Sequence, residues 1–207
     1  MRLYVSERAP NPRRVQMFIA EKGMGDIEQL RVSIGADEHK RPEFVDKNPM
    51  ARLPVLELDD GRFLSETRAI CTYLEGVLPE PNLMGDGYEE RAFVEMADRR
   101  IEWYLFLGVT NWVRHTHPGL APLEQPQFKD FGNSQGRKVR EVARRLDGEL
   151  ARHEFVAGNR FTIADITAFC CVEFSRGLMK FSPAKEGMPN LQAWRDRIAE
   201  RPSAVVS

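Results

Sequence analysis

The stretch from Asn48 to Leu74 carries the residues best suited to hold a ligand. It begins Asn48-Pro49-Met50-Ala51-Arg52-Leu53-Pro54, turns at Asp59-Asp60-Gly61, and opens a helix with Ser65-Glu66-Thr67. A helix start offers unpaired N–H groups and a partial positive charge, which suit a carboxylate. Glu66, next to it, supplies the opposite charge for an ammonium. Together these groups suit a small zwitterion held by backbone and by charge. A plainer reading competes with this one: Ser65 caps the helix, Glu66 favours the dipole, and Pro54 is a trans proline opening a strand.

No other cluster in the sequence promises stronger chemistry. Cys71, Cys170 and Cys171 show no metal-ligand spacing and no even disulfide framework. His115 and His117 are two apart, which on a helix points them away from each other. No metal site is expected. The chain has 207 residues, 42% apolar and 29% charged, with 30 basic and 31 acidic side chains and a net charge of −1. This balance argues against nucleic acid or an anionic membrane as partner. No apolar run reaches the roughly 18–20 residues of a membrane span. The start, Met1 to Val5, is too short an apolar segment for a signal peptide. A reducing, cytoplasmic location is expected.

The elements that must position these residues follow from pattern. Residues 2–5 read as a short buried strand. Asn11 stands where a helix N-cap is expected, with Pro12 at the first helical position and the helix running from about Arg13 to Lys22. Residues 27–34 read as a second strand. Residues 35–47 read as a loop with a short helix near Pro42 to Asp46. Val55 to Leu58 and Arg62 to Leu64 form a hairpin, and Thr67 to Leu78 is a helix capped by Ser65. The order is therefore β-α-β, loop, β-β-α, and Pro79-Glu80-Pro81 marks its end.

Everything beyond reads as helix: Tyr88 to about His115 as one long helix or a kinked pair, an irregular connection over 116–133, then Gln135 to Arg152. Phe161 to about Leu178 is a buried helix with Thr162 and Asp165 as its capping box. A last helix starts at Met188-Pro189, with Leu191, Trp194 and Ile198 on one face. The domains expected are 1–78, a linker 79–87, and an all-helical 88–207.

An α/β first part and an all-helical second part, joined at a proline-rich linker, resemble the glutathione transferase superfamily. The resemblance covers nearly the whole chain. It rests on Ala9-Pro10-Asn11-Pro12-Arg13-Arg14-Val15, on Asn48 to Thr67, and on Phe155 to Asp165. It implies a thioredoxin-like domain that binds glutathione as co-substrate, a cis Leu53-Pro54 bond, and a homodimer. Leu53 would pair its backbone with the cysteinyl unit of glutathione, as an added strand does. Thr67 would take the γ-glutamyl carboxylate and Glu66 the γ-glutamyl ammonium. His39, Lys40 and Arg52 are the candidate cations for the glycine carboxylate.

At the reacting end this sequence departs from its relatives. They activate the thiol with a hydroxyl, or replace it with a cysteine, in the loop after the first strand. That position is Ala9 here, which can do neither. Asn11 is the first candidate to donate to the thiolate, aided by the positive end of the helix; the alternative is that Asn11 only caps. Ser6 is the second candidate. Arg13 and Arg14 open that helix, where a cation opposes the dipole; facing a ligand or a second subunit would account for one of them.

For a small-molecule electrophile, relatives use a cleft lined by the first helix of the helical domain, which puts Ala9, Tyr104, Trp112 and His115 forward; packing inside the bundle is the competing role for the last three. The reaction implied is conjugation of glutathione thiolate to an electrophilic carbon. Alternatives are a glutathione-dependent disulfide or peroxide reductase, and a non-catalytic binding or interaction protein.

Overall fold

In the computed structural model, which describes residues 1–205, the chain forms two compact units. The first holds Met1–Leu83 together with the described residues from Arg201 onward; the second is Met84–Glu200. The segment from Arg201, read from the sequence as part of the helical domain, thus belongs with the first unit.

The first unit is a four-stranded mixed sheet in the order β2-β1-β3-β4. β1 (Arg2–Val5) pairs parallel with β2 (Glu28–Arg31) and antiparallel with β3 (Val55–Glu57). β3 in turn pairs antiparallel with β4 (Phe63–Ser65). A right-handed crossover is the rule for such a parallel pair, and α1 (Pro10–Lys22) supplies the crossover helix between β1 and β2. α2 (Pro42–Val45) is one turn, and α3 (Thr67–Val77) follows β4. Leu3, Val5, Val15, Phe18, Ile70 and Leu74 are buried, the core that α1 and α3 share with the sheet. This is the thioredoxin-like arrangement expected.

Two polar anchors hold α1. At its last turn the fully buried Lys22 ammonium donates to the carbonyls of Pro79 (2.9 Å) and Pro81 (2.7 Å) and lies 2.6 Å from Glu75. Along its length the C-terminal segment is tied by Arg201 to Glu21 (2.6 Å) and by the Ala204 carbonyl to Arg13 (2.8 Å).

The second unit is helical. α4 (Gly87–Arg100) continues through a wide π-helical stretch, Ile101–Phe106, into α5 (Leu107–Thr116), so the long helix expected is unbroken but locally underwound. α6 (Lys129–Leu150) starts six residues before the expected Gln135. Gly132, in the stretch expected to be an irregular connection, lies inside it and allows close packing: a Cβ there would stand 2.6 Å from Thr116 Cγ2. Gly136 likewise lets the Trp112 ring approach; a Cβ there would meet it at 2.9 Å. α7 (Ile163–Met179) is the buried central helix, and both halves of its Thr162–Asp165 capping box are formed. α8 (Pro189–Ala199) buries Leu191, Trp194 and Ile198.

Candidate functional site

Strand register brings the chemistry-bearing segments to one end of the first unit. Tyr4 pairs with Val55 and Val55 with Ser65, so these residues form one row across the sheet. β3 runs against both β1 and β4. Its N-terminal end, with Leu53-Pro54, therefore lies where β1 and β4 finish. The next helices begin there too: α1 just past Ala9, and α3 just past Glu66. Two helix N-termini and one strand start thus share an edge, and their unpaired N–H groups give it a positive potential.

The Leu53-Pro54 bond is cis, and the β1–β3–β4 ladder begins only at Val55, so Leu53 lies outside it. The loop before it is braced by Asn48, which is 2% exposed. Its Oδ1 accepts from Met50 N (3.1 Å) and its Nδ2 donates to the Arg52 carbonyl (2.8 Å). This bracing role of Asn48 is not among the sequence expectations. The signal was an Asn-Pro pair three residues before a positive φ at Ala51 (+50°).

Glu66, not Ser65, is the N-cap of α3. Ser65 is kept in β4 by its pairing with Val55, and the ladder outcompetes the cap. Glu66 takes up the turn between strand and helix at φ +69°, ψ 119°, a conformation that costs an L-residue about 1–3 kcal/mol. Such strain persists where surrounding structure enforces it, and it clusters at ligand sites. Glu66 is exposed, Thr67 beside it is 7% exposed, and among the described residues neither side chain has a hydrogen-bond or ion-pair partner.

Asn11 is likewise not a cap. α1 begins at Pro10 with Ala9 as N-cap, because proline at the first helical position needs no N–H partner and has φ pre-set. Asn11 sits within the first turn, partly exposed, with its Oδ1 accepting from Arg14 Nη1 at 3.2 Å. Ser6, 9% exposed, instead lines a cavity of ≈ 220 Å³ with Glu7, Gln16, Gln29 and Arg31, on the β2 side of β1.

The three candidate cations separate. Lys40 is exposed and paired with Asp37 at 2.8 Å. His39 is buried, and its Nδ1 has no partner among the described residues. Burial, reinforced by the Lys40 ammonium and by Arg52, holds its imidazole below the usual value, so it is neutral at pH 7. Arg52 is exposed and makes no side-chain ion pair among the described residues.

In the second unit, Tyr104 is 66% exposed, whereas Trp112 is buried against Gly136 with the Arg140 guanidinium over its ring at 4.8 Å. His115 accepts at Nδ1 from Phe128 N (3.1 Å) and packs edge-on against Phe131. These two side chains build the α5–α6 seam. Among the described residues no cluster of His, Cys, Asp or Glu is arranged to hold a metal, and no helix is long and apolar enough to cross a membrane.

Comparison with known proteins agrees with this fold. Residues 9–77 match the glutathione S-transferase N-terminal domain and residues 111–202 the C-terminal domain. Glutathione S-transferase 2 of Saccharomyces cerevisiae is 35% identical over 205 residues, 98% of this chain and 87% of that protein. A glutathione S-transferase domain-containing protein from Marinobacter aquaeolei superposes with a TM-score of 0.93 at 40% identity, covering 99% of this chain and 100% of that one. Gtt2 from Saccharomyces cerevisiae superposes with a TM-score of 0.92 at 33% identity, covering 99% and 98%. The chain belongs to the glutathione S-transferase family of enzymes, whose co-substrate is glutathione.

Proposed function

We propose that the chain conjugates glutathione thiolate to an electrophilic small molecule, with the tripeptide bound at the shared end of β3, α1 and α3. The observation that carries this reading is Glu66, an unpaired carboxylate held in a strained turn at a helix N-terminus. It meets the γ-glutamyl ammonium, while the Thr67 N–H and hydroxyl take the adjacent carboxylate. Leu53 pairs its backbone with the cysteinyl unit. Arg52 takes the glycine carboxylate, with His39 as a neutral donor beside it and Lys40 held back by Asp37. At the sulfur, the α1 N-terminus and the Asn11 amide stabilise the thiolate, and Ala9 leaves room there. Ser6 faces its own cavity and is dropped from this role.

Tyr104 is retained for the electrophile, since Trp112 and His115 are committed to packing. The homodimer expected of the family is supported by Phe93, Met96, Trp103 and Leu107, exposed apolar side chains along α4, the π-helical stretch and the start of α5. Three buried cysteines without a disulfide favour a reducing compartment, the cytoplasm.

Steady-state turnover with glutathione and a chloro-dinitrobenzene, a hydroperoxide or a mixed disulfide tests the reaction type. Conjugation is expected to dominate. Turnover of the hydroperoxide or disulfide alone makes the protein a reductase. Retention on glutathione resin without any turnover makes it a binding protein.

A further inference from the structure

Arg14 stands out as a buried cation near the start of a helix, where the dipole disfavours it. It is 2% exposed, and its Nη1 donates to Asn11 Oδ1 at 3.2 Å. Its neighbour Arg13 points elsewhere, to the Ala204 carbonyl. A guanidinium has only donors, so the Asn11 atom facing it must be the amide oxygen. The choice between the two amide orientations, open for most asparagines, is closed here by chemistry. The Nδ2 end of Asn11 is left turned away from Arg14 and has no partner among the described residues. Asn11 caps nothing, so its one hydrogen bond serves to orient it.

We propose that Arg14 is a positioning residue for thiolate stabilisation: by holding Asn11 Oδ1 it presents the Nδ2 N–H to the glutathione sulfur. Its charge also polarises the amide and strengthens that donor. This rests on the reading of Asn11 given above. Other charged groups at this end of the unit include Glu7 and Arg8 between β1 and α1, Arg13 on α1, Arg52 before Leu53, and Glu66 and Arg68 at the start of α3. Arg201 is paired with Glu21 at the far end of α1.

The test is the pH midpoint of thiolate formation in the glutathione complex, read by thiolate ultraviolet absorbance. Wild type, Asn11→Ala, Arg14→Gln and the double variant are compared. Each single change is expected to raise the midpoint by about one pH unit, the scale of a hydrogen bond to a charged group. The double variant should go no higher than Asn11→Ala alone, and Arg14→Lys, a donor-only cation, should recover most of the loss. A shift in Asn11→Ala with none in Arg14→Gln, or shifts that add, overturns the proposal and leaves the Asn11 reading standing. No shift in Asn11→Ala overturns both. Should Arg14→Gln fail to fold, a crystal structure of the wild-type chain with glutathione decides. Arg14 on Oδ1 and the sulfur within reach of Nδ2 supports the proposal; Arg14 turned away from Asn11, or the amide oxygen facing the sulfur, contradicts it.

Discussion

Two carboxylates at helix starts sit in contrasting surroundings. Asp165, fully buried at the start of α7, accepts from Val156 N (2.9 Å), Thr162 N (3.0 Å) and Trp194 Nε1 (2.9 Å). Glu66, at the start of α3, is exposed and accepts from nothing among the described residues. One satisfies its own backbone and joins two helices. The other leaves its helix end open and sits on strained backbone. A helix N-terminus is the same device in both places. What differs is whether the protein supplies the partners or leaves them to a ligand. The contrast extends outward. In the second unit Thr167 donates to the buried Asp98 at 2.6 Å and Trp112 fills the space over Gly136. In the first, Arg52, His39 Nδ1, Thr67 and Asn11 Nδ2 remain available around one sheet end.

Removing Asp165 should have the largest effect. Asp165→Ala leaves several buried donors without an acceptor, and a loss of about 3 kcal/mol or more in unfolding free energy is expected from denaturant titration. A loss under about 1 kcal/mol would make the Asp165 network ornamental and erase the contrast. The smallest effect should come from the rim of the second unit. The Arg160 guanidinium and the Asp86 N–H hold Glu90 down at about 2. Depression of a carboxylate stabilises the fold above its unfolded pKa, so this contribution is present at neutral pH and fades as pH falls from about 4.5 toward 2. Both side chains are more than a third exposed, so solvent screening limits it to well under 1 kcal/mol. Arg160→Ala should lower the acid-unfolding resistance only slightly, as followed by circular dichroism against pH.

Much of this was legible in the sequence because local signals agreed with tertiary ones. The capping box of α7 was read correctly, since its partners are three residues apart and no ladder competes for them. Helix starts next to strands were misread. Ser65 has the residue type of a cap but is drawn into β4, and Asn11 precedes Pro12 as a cap would, although Pro10 is the first helical residue. Both errors displaced the boundary by a residue or two, and both concealed chemistry: the strained φ of Glu66 and the uncommitted amide of Asn11. The early start of α6 was hidden because Gly132 serves close helix packing, which sequence cannot distinguish from a break. Burial decided the rest. It lowers the His39 pKa and sets Trp112 in the α5–α6 seam, which the partly exposed His115 joins through Phe128 and Phe131, and neither outcome follows from residue type or spacing.

The central claim is that the Glu66 carboxylate binds the ammonium of glutathione. Glu66→Gly isolates that claim, because glycine accepts the positive φ at this position and removes only the side chain. Titration calorimetry with glutathione should show affinity falling at least tenfold, about 1.5 kcal/mol for a hydrogen bond to a charged group. The melting temperature should hold or rise as the backbone strain is relieved. An unchanged affinity in a folded Glu66→Gly protein would contradict the assignment of this site.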